Sequence, residues 1–531
     1  MLESPAAPSA PLVRTPAQRV AAVHRLVVVT LLGFASGLPL ALTGQAMQAW
    51  LSVEGLDVAT IGFLSLVGLP YTFKFLWAPL MDRFELPWLG RRRGWLVLTQ
   101  LALAAVLVLM AGTSPVGATQ AFALLAVVVA FVSASQDVVI DAYRTDLLAP
   151  SERGLGASLS VLGYRLAMIL SGGVALIWTD ATQGGGWSWP EVYRVMAGLM
   201  VAAALVSATL LPRLAGANAS PPRTVARNDL IGFVAVVAAV IAGYAFTDRI
   251  VAPTVRLLLA PLWQGSTLAP ALQGRWADLA SLLVGIAITL PLAAWAARRA
   301  RFETLLSGLQ NYFSQRGAAA FLAFIVLYKL GDAFAGSLMT PFLLQSMAFS
   351  PAEVGLVNKV IGLWLTIVGA LVGGVLMLKL GLWRSLLAFG ILQMVSNVGF
   401  WWLAVSGKGL MPGLVIPPFD WGFVTLAVAT PVDGGLLMVI AFENLSGGMG
   451  TAAFVAFLMS LCNQRFTATQ FALLSAFASV GRVWVGPLAG VLAQSIGWPT
   501  FFIVSTVAAL PALVMLWWLR ASVQALETTG S

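Results

Sequence analysis

The chain has 531 residues, of which 59% are hydrophobic and only 10% are charged, and its mean hydropathy is +0.90. A soluble protein carries roughly 25% charged residues, so this composition excludes a globular protein that folds in water. Many stretches of about twenty apolar residues have the length that spans a bilayer as a helix, and the short alternating segments of a β-barrel are absent. The sequence therefore predicts an all-α polytopic membrane protein.

The formal net charge of +9 does not indicate nucleic-acid binding, because the basic residues are divided among short loops between apolar segments. Arginines follow the second, fourth, sixth and eighth apolar segments, whereas the loops between carry almost no Lys or Arg, with 251–276 (Arg256 and Arg275) as the one weak exception. The positive-inside rule then places both termini in the cytoplasm. Fourteen spans are predicted, at 25–51, 58–81, 95–113, 118–141, 154–178, 192–212, 229–250, 277–297, 318–343, 354–378, 385–405, 434–461, 468–492 and 499–519.

The chain repeats a loop pattern. Segments 71–95 and 373–384 both resemble the loop between the second and third helices in each half of the major facilitator superfamily. The first copy keeps the pair Asp82–Arg83, and the second keeps its glycines but has Leu378 in place of the acid. The resemblance implies the major facilitator fold, with two related six-helix halves. The predicted division is 1–24, a disordered cytoplasmic N-terminus; 25–212, the N-terminal half; 213–317, a linker with two extra spans; 318–519, the C-terminal half; and 520–531, a cytoplasmic tail.

The two extra spans of the linker are unusual beside a twelve-helix plan, and the sequence assigns them no role. One interpretation is that they fill space beside the bundle.

Charged residues inside the apolar spans are the main functional signal, because such groups normally face a bundle interior or a water-filled path. Asp137 and Asp141 are four residues apart, which places them on one face of a helix. Arg165 lies in the next span at a comparable depth. Asp137 is predicted to carry the proton of a proton-coupled carrier, with a static ion pair to Arg165 as the structural alternative.

Other intramembrane charges extend this signal to both halves. Glu443 lies in an otherwise apolar helix with no partner close in sequence, and it is the rival candidate for proton coupling. Lys74 is predicted to neutralise an anionic group of the substrate. Lys359 is close to the start of its span, and for it the preferred interpretation is snorkelling to the membrane interface.

Two further groups of residues complete the predicted site. Asp82, Arg83, Asp141 and Arg144 are predicted to form a conformational latch near the cytoplasmic ends of the spans. Aromatic and amide side chains can stack on sugars or hydrogen-bond to them. Those predicted to contact the substrate, together with Lys74 and Arg165, are Gln45, Gln48, Trp50, Tyr71, Gln136, Tyr164 and Asn444. Tyr328 and Gln345 are polar or aromatic side chains of the same kind in the second half.

Several functions are excluded by what the sequence lacks. It contains no nucleotide-binding loop of the form Gly-x-x-x-x-Gly-Lys-Ser/Thr, so ATP is not its energy source. One cysteine and one histidine, Cys462 and His24, supply no metal-ligand spacing. No nucleophile motif supports an enzyme. The predicted protein has no cofactor, no metal and no nucleic-acid partner, and it acts as a monomer in the bilayer.

Longer motifs resemble one family within the superfamily, the AmpG muropeptide permeases. The matching stretches lie in both halves, at 34–39, 48–51, 70–79, 135–144, 152–154, 163–165, 447–454 and 466–482. The resemblance implies import of N-acetylglucosaminyl-1,6-anhydro-N-acetylmuramyl peptides across the bacterial inner membrane, driven by the proton motive force. It also implies roles in cell-wall recycling and in β-lactamase induction.

Three alternatives remain beside this interpretation. Eukaryotic acetyl-coenzyme A transporters share part of the signature, which keeps an acyl-nucleotide carrier as the second candidate. A glycan or lipid flippase of the same fold would need a groove that is open to lipid. A transporter-like sensor that moves nothing is disfavoured, because this chain keeps its intramembrane charges.

Overall fold

The computed structural model describes residues 16–78, 81, 89–148, 152–183, 185–212, 223–302, 306, 310, 317–461 and 467–529. Within these described residues, fourteen helical segments are long and apolar enough to cross a membrane, which confirms the predicted fold class. They are Pro16–Val53, Val58–Leu76, Arg92–Ala111, Thr119–Leu147, Ser158–Thr179, Trp189–Thr209, Arg227–Trp263, Pro270–Arg299, Ala318–Ser346, Pro351–Leu380, Leu382–Ser406, Gly434–Ser460, Ala476–Ile496 and Trp498–Trp518.

Two boundaries differ most from the predicted ones. The first helix begins at Pro16, so the prediction of disorder over 1–24 was wrong for 16–24. This stretch includes Gln18, Arg19 and His24 among alanines and valines, so it is too polar to read as part of a membrane span, although alanine, glutamine and arginine are good helix formers. The seventh span continues to Trp263 rather than ending at 250. Its 37 residues would extend about 55 Å as a helix, longer than the roughly 30 Å hydrocarbon core.

Short polar side chains begin several spans at the ends of the bundle. Asp57 accepts from Thr60 N at 3.0 Å, and Asp433 accepts from Leu436 N at 2.8 Å. Ser188 and Glu191 form a capping box at the sixth span. Each cap satisfies a backbone N–H that the helix leaves free, so these residues set where the spans begin.

Equivalent helix pairs pack together in the two halves. The first span packs on the fifth, the second on the fourth and the third on the sixth, and the ninth, tenth and eleventh spans pack in the same way on the thirteenth, twelfth and fourteenth. Glycines permit the closest crossings: a Cβ on Gly163 would lie 2.1 Å from the Thr30 carbonyl oxygen. The repeated pairing agrees with two six-helix halves related by duplication.

The two halves meet toward one end of the molecule, which carries the loops after the first, fifth and ninth spans and is here called the closed end. The second span crosses the thirteenth where a Cβ on Gly62 would lie 2.5 Å from the Gly486 carbonyl oxygen. The fifth crosses the tenth where a Cβ on Gly355 would lie 2.7 Å from the Gly173 carbonyl oxygen. Only glycine allows backbones this close. The other end carries the arginine-rich loops and is called the basic end.

The loop between the eleventh and twelfth spans contains four short strands that the sequence analysis did not predict. Strand β1 (Leu414–Ile416) pairs antiparallel with β4 (Thr430–Val432), and β2 (Phe419–Asp420) pairs with β3 (Thr425–Leu426). The loop lies at the closed end and contacts the first half. Trp178 Nε1 donates to the Phe423 carbonyl at 2.8 Å, and Gln183 Oε1 accepts from Val428 N at 3.1 Å.

Candidate functional site

A charge pair occupies the interior of the first half. Lys74 Nζ lies 4.0 Å from Asp137 Oδ2, and Ser36 Oγ donates to Asp137 Oδ1 at 2.6 Å. The second span changes to a 3₁₀ helix at Lys74–Leu76, and this places the lysine beside the fourth span. The side chains of Lys74 and Asp137 are 35% and 16% exposed, so water and a ligand can reach this pair.

The partner of Asp137 differs from the expected one. Among the described residues, no ion pair joins Asp137 to Arg165, and Lys74 on the second span takes that place. Proximity along the chain favoured Arg165, whereas packing of the second span on the fourth brings Lys74 closer. Arg165 is partly exposed and forms no ion pair within the described part of the chain, so its guanidinium remains available to an anionic ligand.

Glu443 is the centre of a second charged group in the other half. Asn444 Nδ2 donates to Glu443 Oε2 at 2.7 Å, and Asn444 Oδ1 accepts from Thr366 Oγ1 at 2.9 Å. Asp332 and Lys359 act on Glu443 electrostatically. Glu443 was predicted to have no partner close in sequence. That prediction was wrong, because the adjacent residue, Asn444, donates a hydrogen bond to its carboxylate.

The two groups occupy equivalent helices of the duplicated fold. Lys74 and Asp137 lie on the second and fourth helices of the first half, and Lys359 and Glu443 lie on the second and fourth helices of the other. At a rise of about 1.5 Å per residue, Lys359 and Glu443 lie roughly 12–14 Å from the closed-end start of their helices. Lys74 and Asp137 lie roughly 24–27 Å from theirs. The two halves thus hold these equivalent charged side chains at different depths.

Contrary to the prediction, the side chain of Lys359 does not extend to the nearest membrane interface. A Cβ on Gly173 would lie 2.8 Å from Lys359 Cβ, and a Cβ on Gly172 would lie 3.6 Å from Lys359 Cδ. Its side chain therefore crosses the fifth span in the seam between the halves. Both helices are π-helical here, at Ile169–Val174 and Gly355–Ile361, a distortion that is frequent at functional sites. The snorkelling interpretation was wrong because the lysine faces a helix of the other half.

Three predicted substrate residues are buried in helix packing. Trp50 is 1% exposed and stacks against Trp189 with ring centroids 6.4 Å apart. Gln48 is 9% exposed, and its amide donates to the Ser337 carbonyl of the other half at 2.9 Å. Gln136 is fully buried, and neither amide atom has a hydrogen-bond partner within the described residues. In this conformation these three side chains are packed inside the bundle instead of lining a path.

The remaining predicted substrate residues are partly exposed. Gln45, Tyr71, Tyr164 and Asn444 fall in this class. The Tyr71 hydroxyl lies near Thr43, Ser133 and Asp137, and Tyr164 acts on it electrostatically. Tyr71 and Tyr164 therefore lie on the same side of the first half as the Lys74–Asp137 pair.

The predicted latch is described only in part. Asp82 and Arg83 lie outside the described residues. Arg144 Nη2 lies 3.1 Å from Asp141 Oδ1, and Arg144 Nη1 donates to Ser160 Oγ on the fifth span at 3.1 Å. Because the Asp141 side chain is 58% exposed, this pair lies at the basic end of its helix, as its depth in the sequence indicates.

Polar contacts that were not predicted from the sequence join the two halves. Asp180 is 4% exposed at the end of the fifth span and accepts from Ala352 N of the tenth span at 3.1 Å. Burial favours its neutral form, but hydrogen bonds from Thr182, Ala352 and Gln183 outweigh this and hold the pKa of Asp180 below its usual value. The sequence feature that could have indicated this contact is an acidic residue directly before a Gly-rich loop.

Within the described residues, no group of three or more His, Cys, Asp or Glu side chains could hold a metal ion. The groups present at the site are charged side chains, hydroxyls and amides, which can bind polar ligands and hold a proton.

Comparison with known proteins decides the family. The Major Facilitator Superfamily model matches residues 29–438. The anhydromuropeptide permease of Escherichia coli (strain K12) is 43% identical over 492 residues, which cover 93% of this chain and 79% of the relative. The chain belongs to the AmpG family of the major facilitator superfamily. A putative transporter AmpG 4 of Rickettsia conorii is 26% identical over 94% of this chain and 97% of its own length.

Solved structures agree with this family at the level of fold. A crystal structure of the peptide transporter POT in complex with sulfate has a TM-score of 0.61 and 16% identity, and it covers 95% of each chain. Like that transporter, this AmpG family member is a multi-pass membrane protein with the major facilitator architecture, as its sequence predicted.

Proposed function

We propose that this protein imports anhydromuropeptides from the periplasm to the cytoplasm across the bacterial inner membrane. The observation that carries the proposal is the 43% identity to a permease of that name, which extends over 93% of the chain. The transport cycle is alternating access, in which the two halves rock about a central path. The imported fragments would supply cell-wall recycling.

The charges of the first half fit the anionic peptide part of such a substrate. Arg165 has no ion pair within the described residues, and Lys74 is 35% exposed beside Asp137. Both cations are proposed to hold peptide carboxylates, for which Arg offers two parallel hydrogen bonds. Tyr71, Tyr164 and Gln45 are proposed to contact the sugars, because aromatic faces and amides recognise rings and acetamido groups.

The proton is proposed to bind to Asp137 or to Glu443. Each acid lies beside a lysine on the second helix of its own half, and a carboxylate that exchanges a proton changes the balance of charge there. Loss of that charge would weaken the attraction to the lysine and bias which conformations interconvert. By the positive-inside rule, the closed end is proposed to face the periplasm and both termini the cytoplasm, so this conformation is closed toward the periplasm.

Uptake into proteoliposomes tests the proposal. Labelled anhydromuropeptide is supplied outside, with and without an inward pH gradient, and acetyl-coenzyme A is supplied in a parallel arm. We expect uptake of the muropeptide that the gradient accelerates. Uptake of acetyl-coenzyme A with none of the muropeptide would overturn the proposal in favour of an acyl-nucleotide carrier.

Assays of substrate exchange and of substrate accumulation distinguish which of the two acids, Asp137 or Glu443, couples transport to the proton. Asp137→Asn or Glu443→Gln at the coupling site should still exchange labelled for unlabelled substrate but should no longer accumulate it against a gradient. Asp420→Asn is the control, since Asp420 is an exposed acid in the loop between the eleventh and twelfth spans, outside the predicted site, and its loss should leave accumulation intact. An acid whose neutral variant still accumulates substrate is not the coupling site.

A further inference from the structure

The eighth span, the second of the two inserted helices, contacts both halves through neighbouring residues. Arg275 Nη2 donates to Asp57 Oδ2 at 3.0 Å and to Thr60 Oγ1 at 2.6 Å, at the start of the second span. The next residue, Trp276, donates through Nε1 to Ser495 Oγ at 3.0 Å, near the end of the thirteenth span. One turn of helix thus hydrogen-bonds to the first half and to the second.

Apolar contacts reinforce these hydrogen bonds at the same level. Leu279, one turn after Arg275, is buried together with Ala59 of the second span and Val491 of the thirteenth. Trp276 and Leu272 pack against this cluster. The eighth span therefore covers the line along which the second and thirteenth spans cross.

This crossing is among the closest contacts between the halves. A Cβ on Gly62 would lie 2.9 Å from Gly490 Cα, and Ser65 Oγ donates to the Val483 carbonyl at 3.2 Å. Opening the closed end must separate these two spans. Because Arg275 and Trp276 are adjacent on one helix, they cannot both keep their partners once the spans move apart.

We propose that the inserted helices act as a brace: Arg275 and Trp276 are positioning residues that hold the second and thirteenth spans together and stabilise the conformation closed at this end. The inference rests on alternating access, which is part of the proposed function. The interpretation of the inserted pair as a filler beside the bundle gives no reason for two adjacent residues to bind different halves.

Spin-label distances across the closed end test the brace without any substrate. Labels are attached at Val53→Cys and Gln494→Cys, two exposed positions on the first and second halves, with Cys462→Ala removing the single native cysteine. Distance distributions are measured in lipid nanodiscs for Arg275→Ala, for Trp276→Phe, which removes the indole donor and keeps an aromatic ring, and for the double variant. Arg275→Lys is the conservative variant.

Arg256→Ala is the matched control. Arg256 Nη2 lies 2.8 Å from Asp278 Oδ1, and both residues belong to the inserted pair, so this substitution removes an arginine–aspartate bridge that joins no halves. A general loss of stability in the inserted helices would affect this variant as much as Arg275→Ala. If the brace is specific to Arg275 and Trp276, Arg256→Ala should leave the spin-label distance distribution unchanged.

We expect each single variant to raise the ratio of long to short distances by roughly two- to tenfold, as for the loss of one partly exposed hydrogen bond. The double variant should add little to either single one, because breaking one anchor already releases the brace, and Arg275→Lys should lie between wild type and Arg275→Ala. Unchanged distances, effects that simply add, or an equal effect of Arg256→Ala would overturn the inference. Absence of muropeptide uptake would not, so failure of the two proposals can be distinguished.

Discussion

Asp180, which ends the fifth span, accepts a hydrogen bond through Oδ2 from the backbone nitrogen of Ala352 at 3.1 Å. Ala352 lies in the first turn of the tenth span, where backbone N–H groups have no partner within the helix. Asp180 thus acts as a cap on a helix of the other half, and its Oδ1 is held by Thr182 N at 3.0 Å and Gln183 N at 3.2 Å. The carboxylate favours the closed conformation, because the helix that it caps moves away when the halves separate.

Asp180→Ala should weaken the closed conformation by about 1–3 kcal/mol, the cost of losing a buried charge-assisted hydrogen bond. The same pair of spin labels, at 53 and 494, should report a larger long-distance population. Asp420→Ala is the control, since Asp420 accepts from Gly422 N and Thr425 Oγ1 within the loop between the eleventh and twelfth spans. An equal response to both substitutions would contradict a role for the cap.

The contribution of Asp180 should not depend on pH between 5 and 8. Its pKa in the folded protein lies below its usual value, so the stability that it contributes is fully present above the unfolded pKa of about 3.9. That stability is lost only as the pH falls through the lower, folded-state pKa. The difference between wild type and Asp180→Ala should therefore be equal at pH 5.5 and 7.5. A difference that shrinks at pH 5.5 would show that Asp180 titrates there.

Lys74→Met should destabilise the protein more than the double variant Lys74→Met/Asp137→Asn. The single change leaves a largely buried carboxylate with Ser36 as its remaining hydrogen-bond donor, at a cost of about 1–3 kcal/mol once partial exposure of Lys74 is allowed for. Thermal unfolding in detergent measures both variants. Arg144→Met is the control, because its partner Asp141 is 58% exposed and the loss should stay below about 1 kcal/mol. Equal losses in the single and double variants would argue against a coupled pair.

Gly173→Ala should disfavour the closed conformation. The added Cβ would lie 2.8 Å from Lys359 Cβ, closer than side chains approach, so the fifth and tenth spans must separate. Gly198→Ala makes the same change in the sixth span, where nothing lies within 4 Å of the new atom, and it should be neutral or slightly stabilising. Spin-label distances across the closed end distinguish the two variants. An unchanged distance distribution in Gly173→Ala would mean that the fifth and tenth spans accommodate the added methyl group without separating.

The sequence by itself determined the class of protein, the number of spans, the duplication and the family. Hydropathy is a property of each segment alone, since a stretch of apolar residues enters the bilayer whatever its neighbours are. The motifs around Asp137 and Gly447 are likewise continuous in the chain. For the same reason, Asp137 and Glu443 could be identified as candidates from their apolar surroundings.

Only the tertiary structure decided which groups these residues meet. Lys74 rather than Arg165 pairs with Asp137, and Lys359 lies across the seam instead of at the interface. Arg275 and Trp276 carried no signal of a brace. Each outcome depends on how a helix is rotated and at what depth it crosses its neighbour, and small residues far apart in the chain set those crossings.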